Sequence, residues 1–263
     1  MKHYLIDTHA HLYDEAFDKD RRDIVFNAHK AGIKKILMPN IDSTTIDGML
    51  ALCKKYPQNI FPMMGLHPTS VEDDFENELE IVKQWLDKEK FVAIGEIGLD
   101  LYWDKTFFEE QIKALEFQID LAIEHQLPVV IHCRDAFDEI FEVFDRKFKP
   151  GLKGVFHSFT GDLLQANKII NDYGFSLGIN GIVTFKKSNL TDVLSNIDLK
   201  HIIIETDAPY LAPEPKRGQR NESSYMFYTA RKIADIYGKD IQGISEATTN
   251  NVYELFNLNR YEQ

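Results

Sequence analysis

Short apolar runs rich in Val, Ile and Phe recur along the chain, separated by longer segments whose apolar residues repeat every three or four positions. The runs predict strands at 4–6, 35–38, 60–64, 91–94, 128–131, 154–156, 175–179 and 201–204. The longer segments predict helices at 18–31, 44–55, 77–88, 107–125, 136–147, 162–173 and 189–196, with two more at 223–237 and 241–256. Ile112, Leu115, Ile119 and Ile123 form the clearest helical stripe, and Pro128 blocks its continuation. Strands that are apolar throughout are buried on both faces, as in a parallel sheet wrapped by helices. Eight such strands alternating with helices predict an α/β fold, a TIM (β/α)8 barrel, as a single domain over residues 1–263.

Catalytic groups in this architecture come from the C-terminal ends of several strands. His9 and His11 follow strand one, His67 follows strand three, and Glu96 closes strand four. His132, His157 and Asp207 end strands five, six and eight. Residues two apart on a strand share a face, so His9 and His11 converge on one point if strand geometry persists that far. His3, His29, His125 and His201 lie at strand starts or in helix patterns and read as structural or exposed. Cys133 adjoins His132 but faces the other way, so it reads as a packed thiol.

Mixed imidazole and carboxylate ligands suit Zn, Mn, Fe or Co, whereas Mg prefers oxygen. His9, His11, Glu96, His132, His157 and Asp207 are too many for one tetrahedral ion that also holds a water, and they fit two divalent ions (Mg, Mn or Zn) with Glu96 as the bridge.

Composition narrows the class. No apolar run reaches the roughly 18 residues a membrane span needs. Met1-Lys2-His3 leads directly into a strand pattern rather than a signal peptide, so the expected location is cytoplasmic, with Cys53 and Cys133 reduced. A net charge of −12 argues against broad electrostatic cladding of nucleic acid. It leaves room for a nuclease that meets a few phosphates through metal ions and a handful of basic residues. No segment points to an obligate protein partner.

Seven motifs, in order, carry a family resemblance: Asp7-Thr-His-Ala-His11, Gly65-Leu-His-Pro68, Gly95-Glu-Ile-Gly-Leu-Asp100, Ile131-His-Cys-Arg-Asp-Ala136, His157-Ser-Phe-Thr-Gly161, Glu205-Thr-Asp-Ala-Pro-Tyr-Leu-Ala-Pro213 and Arg217-Gly-Gln-Arg-Asn221. Together they resemble the TatD family of metal-dependent hydrolases, also described as TatD-type deoxyribonucleases. The resemblance implies a barrel hydrolase that cleaves DNA phosphodiesters, single-stranded or at ends, with a metal-activated water at a binuclear centre. It implies that His9, His11, Glu96 and Asp207 hold one ion and that Glu96, His132 and His157 hold the other. His67 and Glu205 match further pocket positions, to orient substrate or to hold an extra ion. The chain departs from the family at Leu101-Tyr102-Trp103, where an aromatic pair is expected, and at Ser223, where Pro is usual.

Within that frame Glu96 bridges the ions and Asp207, at the mouth, accepts the proton of the attacking water. Arg134, two residues beyond His132, offers a forked donor to a phosphate oxygen. Lys186, with Lys216, Arg217 and Arg220, lies on the loops after strands seven and eight, where barrels often bind phosphate. An alternative keeps the metals and changes the substrate to a small-molecule ester or phosphoester, or to D-aminoacyl-tRNA. A metal-binding scaffold without activity is the contrasting class, and the intact ligand set speaks against it.

Overall fold

A computed structural model of the chain describes residues 4–261. His3 therefore lies outside the described residues. All eight expected strands form: β1 (Leu5–Asp7), β2 (Ile33–Pro39), β3 (Ile60–Met63), β4 (Ile94–Asp100), β5 (Val129–Arg134), β6 (Gly154–Phe156), β7 (Ser176–Ile179) and β8 (Ile202–Ile204). Nine α-helices among the described residues accompany them: α1 (Arg21–Lys30), α2 (Ile46–Lys55), α3 (Phe75–Lys88), α4 (Phe108–His125), α5 (Phe137–Lys147), α6 (Leu163–Asn171), α7 (Leu190–Leu194), α8 (Met226–Tyr237) and α9 (Ile241–Phe256).

All the strand pairs are parallel, in the ladders β1-β2-β3 and β4-β5-β6-β7-β8. Two parallel bridges, Met64 to Ile94 and Ala10 to Ala208, join the ladders into a closed α/β barrel of the TIM type. Backbone bonds reinforce both seams, with Gly95 N–H donating to Met64 O at 2.8 Å and His11 N–H to Ala208 O at 2.7 Å.

Strand alternation sorts the apolar residues into two layers. Ile6, Leu37, Phe61, Met63, Val130, Val155 and Ile203 fill the barrel, and Val252, Leu255, Phe256 and Leu258 plug its base. Val130 shares its side of the strand with His132, and Val155 shares its side with His157. The apolar filling therefore gives way to polar groups toward the C-terminal ends.

The outward residues pack under the helices. Phe156 lies 6.3 Å from Phe137 and 6.1 Å from Phe144 between ring centroids, and Phe144 meets Phe175 edge-on at 5.4 Å. This aromatic layer seals α5 onto β6 and β7.

The expected strand four ends too early. Pairing with β5 continues to Asp100, after a register irregularity between Ile94 and Ile97, so Glu96 sits inside β4 rather than at its close. Two glycines masked the continuation, since glycine weakens a strand pattern while permitting close backbone approach. Gly98 has φ of 149°, and a Cβ there would lie 1.9 Å from His132 O. The helix expected at 18–31 begins at Arg21, after a separate 3₁₀ turn at Glu15–Phe17. His201 sits in a 3₁₀ turn before β8.

Phe144 is fully buried at the centre of the aromatic layer. Phe144→Ala is expected to cost about 3–5 kcal/mol of stability through lost burial and the cavity left behind, measured by urea denaturation.

Candidate metal centre

The side chains nominated from strand ends converge at the C-terminal mouth of the barrel. Glu96 stands at their middle, and its two carboxylate oxygens face different neighbours. Oε2 lies 3.0 Å from His9 Nε2 and 3.8 Å from His11 Nε2. Oε1 lies 2.8 Å from His132 Nδ1, 2.8 Å from His157 Nε2 and 3.6 Å from His67 Nε2. Asp207 Oδ1 joins the first group, 3.8 Å from His9 Nε2 and 3.6 Å from His11 Nε2. β1 ends at Asp7, yet His9 and His11 still reach the same carboxylate oxygen.

Neutral imidazole ligates a metal through an unprotonated nitrogen, so the partner of the other ring nitrogen decides which atom is free. The Tyr13 hydroxyl donates to Pro39 O at 2.6 Å and is left to accept from His11 Nδ1 at 2.9 Å, which frees His11 Nε2. Asp100 Oδ2 lies 3.0 Å from His132 Nε2, so His132 can present Nδ1 to the centre. Glu205 Oε1 lies 3.2 Å from His157 Nδ1, on the far side from Glu96, without the alignment of a hydrogen bond. Gly178 makes the room, because a Cβ there would sit 2.4 Å from Glu205 Oε2.

His67 is held differently. Its Nδ1 accepts the Thr69 N–H at 3.1 Å, so the neutral ring carries its proton on Nε2. That nitrogen faces Glu96 and His132 as a donor. Glu205, expected from the sequence to orient substrate, is 1% exposed and lies behind His157.

Below the ligands, Asp7 fixes the turn that carries Asp207. Its Oδ1 accepts from Thr206 N at 3.0 Å and its Oδ2 accepts from the Thr206 hydroxyl at 2.7 Å. Asn221 Nδ2 donates to Thr206 O at 2.8 Å and to Tyr210 O at 2.6 Å. Asp207 adopts φ of 59°, a left-handed conformation that this network sustains.

The charges in the cluster are strongly coupled. Burial alone would raise the Glu96 carboxyl, yet His157, His9, His67 and His132 hold it well below the usual carboxylate range. Burial would lower His157, but the charges of Glu96 and Glu205 lift it well above ordinary imidazole. Burial, with His157 beside it, lowers His9. His9 Nδ1 is buried without a hydrogen-bond partner among the described residues.

An anionic carboxylate surrounded by imidazoles with oriented lone pairs is a donor set suited to divalent cations. Among the described residues, three trios of side chains have ligand atoms within 4.8 Å of one another: His9, His11 and Glu96; His67, Glu96 and His132; and His9, His157 and Glu205.

The expected basic contacts divide. The Arg134 guanidinium lies 3.9 Å above the Tyr102 ring. Lys186 is exposed on the loop after β7 and reaches none of the cluster through any described contact. Arg220 is held elsewhere, its Nη2 2.6 Å from Asp20 Oδ2 and its Nη1 2.8 Å from Asp20 Oδ1. Cys53 and Cys133 are both free thiols, and Cys133 packs against the core.

Residues 6–257 match the family model described as TatD related DNase. The chain belongs to the TatD family of metal-dependent hydrolases. YabD of Bacillus subtilis (strain 168), described as an uncharacterized metal-dependent hydrolase, is 36% identical over 256 residues, which span 97% of this chain and 100% of YabD. The 3'-5' ssDNA/RNA exonuclease TatD of Pectobacterium carotovorum subsp. carotovorum (strain PC1) is 29% identical, covering 97% of this chain and all of that protein. The crystal structure of the TatD homologue YjjV from Escherichia coli K12 superposes with a TM-score of 0.90 at 32% identity, covering 96% of this chain and 98% of YjjV. No helix among the described residues is long and apolar enough to cross a membrane.

Sequence reasoning overlooked Asp100 and Tyr13, which hold the rings of His132 and His11. Asp100 was within reach, because strand parity puts residues 96, 98 and 100 on one face.

A divalent cation at a hundredfold excess over its Kd should stabilise the fold by about 2.7 kcal/mol, read as a thermal midpoint shift that EDTA reverses. Glu96→Gln should lose most of that shift. An undiminished shift would place the ions elsewhere.

Proposed function

We propose that this hydrolase cleaves phosphodiester bonds of DNA, preferring single strands or ends, at a centre for two divalent ions. The partition of the Glu96 oxygens carries the reading: one faces His9, His11 and Asp207, and the other faces His132 and His157. His9, His11, Glu96 and Asp207 would hold one ion, and Glu96, His132 and His157 the other. When bound, such ions polarise a phosphoryl oxygen and bring the pKa of water toward neutrality. The nuclease description of the Pectobacterium relative and of the family model supports the choice of substrate.

The chain's own side chains supply the rest. Attack on phosphorus releases a proton, and Asp207 is the candidate to take it. Its side chain is 13% exposed against 3% for Glu96, so it is the more solvent-accessible of the two carboxylates. His67 Nε2–H, fixed by Thr69, donates toward a phosphate oxygen. Arg134 projects from the same side of β5 as His132 and offers a second donor. Lys186, exposed on the loop after β7, would meet the strand backbone farther out. Asp100 and Glu205 act as positioning residues, since carboxylates behind ligand imidazoles fix ring orientation and raise basicity.

Asp207→Ala should lower turnover of end-labelled single-stranded DNA by about 10²–10⁴-fold while the protein stays folded by circular dichroism. His132→Ala should do the same, and a chelator should abolish cleavage. Full nuclease activity in either variant, or turnover confined to carboxylic esters, overturns the reading.

Glu205→Gln should cost about 10–100-fold in metal affinity or activity. A change in KM alone would instead mark Glu205 as a substrate contact.

A further inference from the structure

Tyr102 and Trp103 follow β4 and stand 54% and 69% exposed, Trp103 being the most exposed aromatic ring among the described residues. Single apolar side chains on a surface mean little, but these two are adjacent and ordered against each other. Their ring centroids lie 4.9 Å apart at 88°. The Arg134 guanidinium covers Tyr102 at 3.9 Å and approaches the Trp103 ring at 5.1 Å.

This cluster is tied to the metal centre through one carboxylate. Asp100 Oδ1 accepts the N–H groups of Tyr102 at 3.0 Å and Trp103 at 3.3 Å, while Oδ2 faces His132 Nε2 at 3.0 Å. Leu101 N–H donates to Arg134 O at 3.0 Å, closing the far side. The aromatic pair is thereby set at a fixed place beside His132.

We infer that Tyr102, Trp103 and Arg134 form a stacking platform for an unpaired nucleobase of the strand whose phosphodiester lies at the metal centre. The inference rests on the nuclease reading and gives it a determinant of substrate form. Aromatic faces and a guanidinium plane hold bases of any sequence by stacking. A base inside a duplex has both faces covered by its neighbours, so the platform selects single strands or frayed ends. Net charge also matters. At −12, this chain gains little from counterion release, and stacking supplies affinity that a basic groove supplies elsewhere.

Only two tryptophans are present, Trp85 and Trp103, so Trp85→Phe leaves Trp103 as the sole indole reporter. The probe is a short oligothymidylate, titrated in EDTA so that nothing is cleaved. Trp103 emission should be quenched on binding, with a shallow salt dependence, and an abasic strand of equal length should not quench it. Trp103→Ala should weaken oligothymidylate binding by about 5- to 150-fold and raise the KM for single-stranded DNA, the loss expected for one stacked base. Trp103→Phe keeps a ring and should restore most of the binding. An unaltered thermal midpoint in Trp103→Ala excludes a folding defect.

Absence of quenching in a preparation that cleaves DNA, or equal binding by Trp103→Ala, overturns the platform and leaves the nuclease reading standing. Quenching without DNA cleavage in the metal-loaded protein overturns the nuclease reading alone. Loss of both removes both.

Discussion

A buried carboxylate that stays ionised is the constraint from which the rest of the C-terminal face follows. Removing such a charge from water is costly unless partners surround it, and Glu96 has imidazoles against both of its oxygens. Those imidazoles must then be held in one tautomer and one orientation. Asp100 and the Tyr13 hydroxyl sit behind His132 and His11 to do so, and Glu205 lies 3.2 Å from His157 Nδ1. The demand reaches the backbone as well, since Gly98 and Gly178 leave the space that His132 and Glu205 occupy. A few side-chain contacts outward from one carboxylate, the site merges into the packing of the barrel.

Much of this was legible because it repeats. Apolar runs alternating with helical stripes indicate the barrel, and His, Glu or Asp at successive strand ends indicates the cluster. The partners behind the ligands were less legible because their pairing crosses strands. Nothing local to Asp100 says that His132 of the next strand lies against it. The extent of β4 was hidden by the glycines that let Glu96 and His132 approach. Basic residues were least legible. Arg220 and Arg134 look alike in sequence, but one is anchored bidentately to Asp20 and the other lies over Tyr102. Long charged side chains find their partners in the folded surface, which local patterns do not describe.

The acidic composition and a nucleic-acid substrate fit together once the charge is located. On the proposed reading, positive character would be concentrated where bound cations and a few fixed donors meet a phosphate, and the remaining surface can stay acidic without opposing catalysis.

The two seams of the barrel acquire a particular meaning from their position. The β1-β2-β3 ladder carries His9, His11 and His67 on its C-terminal side, and the β4-to-β8 ladder carries Glu96, His132, His157 and Asp207. The backbone ladder is thinnest between the two, at the Met64–Ile94 and Ala10–Ala208 bridges. His9 to Glu96 and His11 to Asp207 span the same divide through side chains. The polar cluster is thus a clasp across the joints of the barrel, adding side-chain contacts where backbone pairing is sparsest.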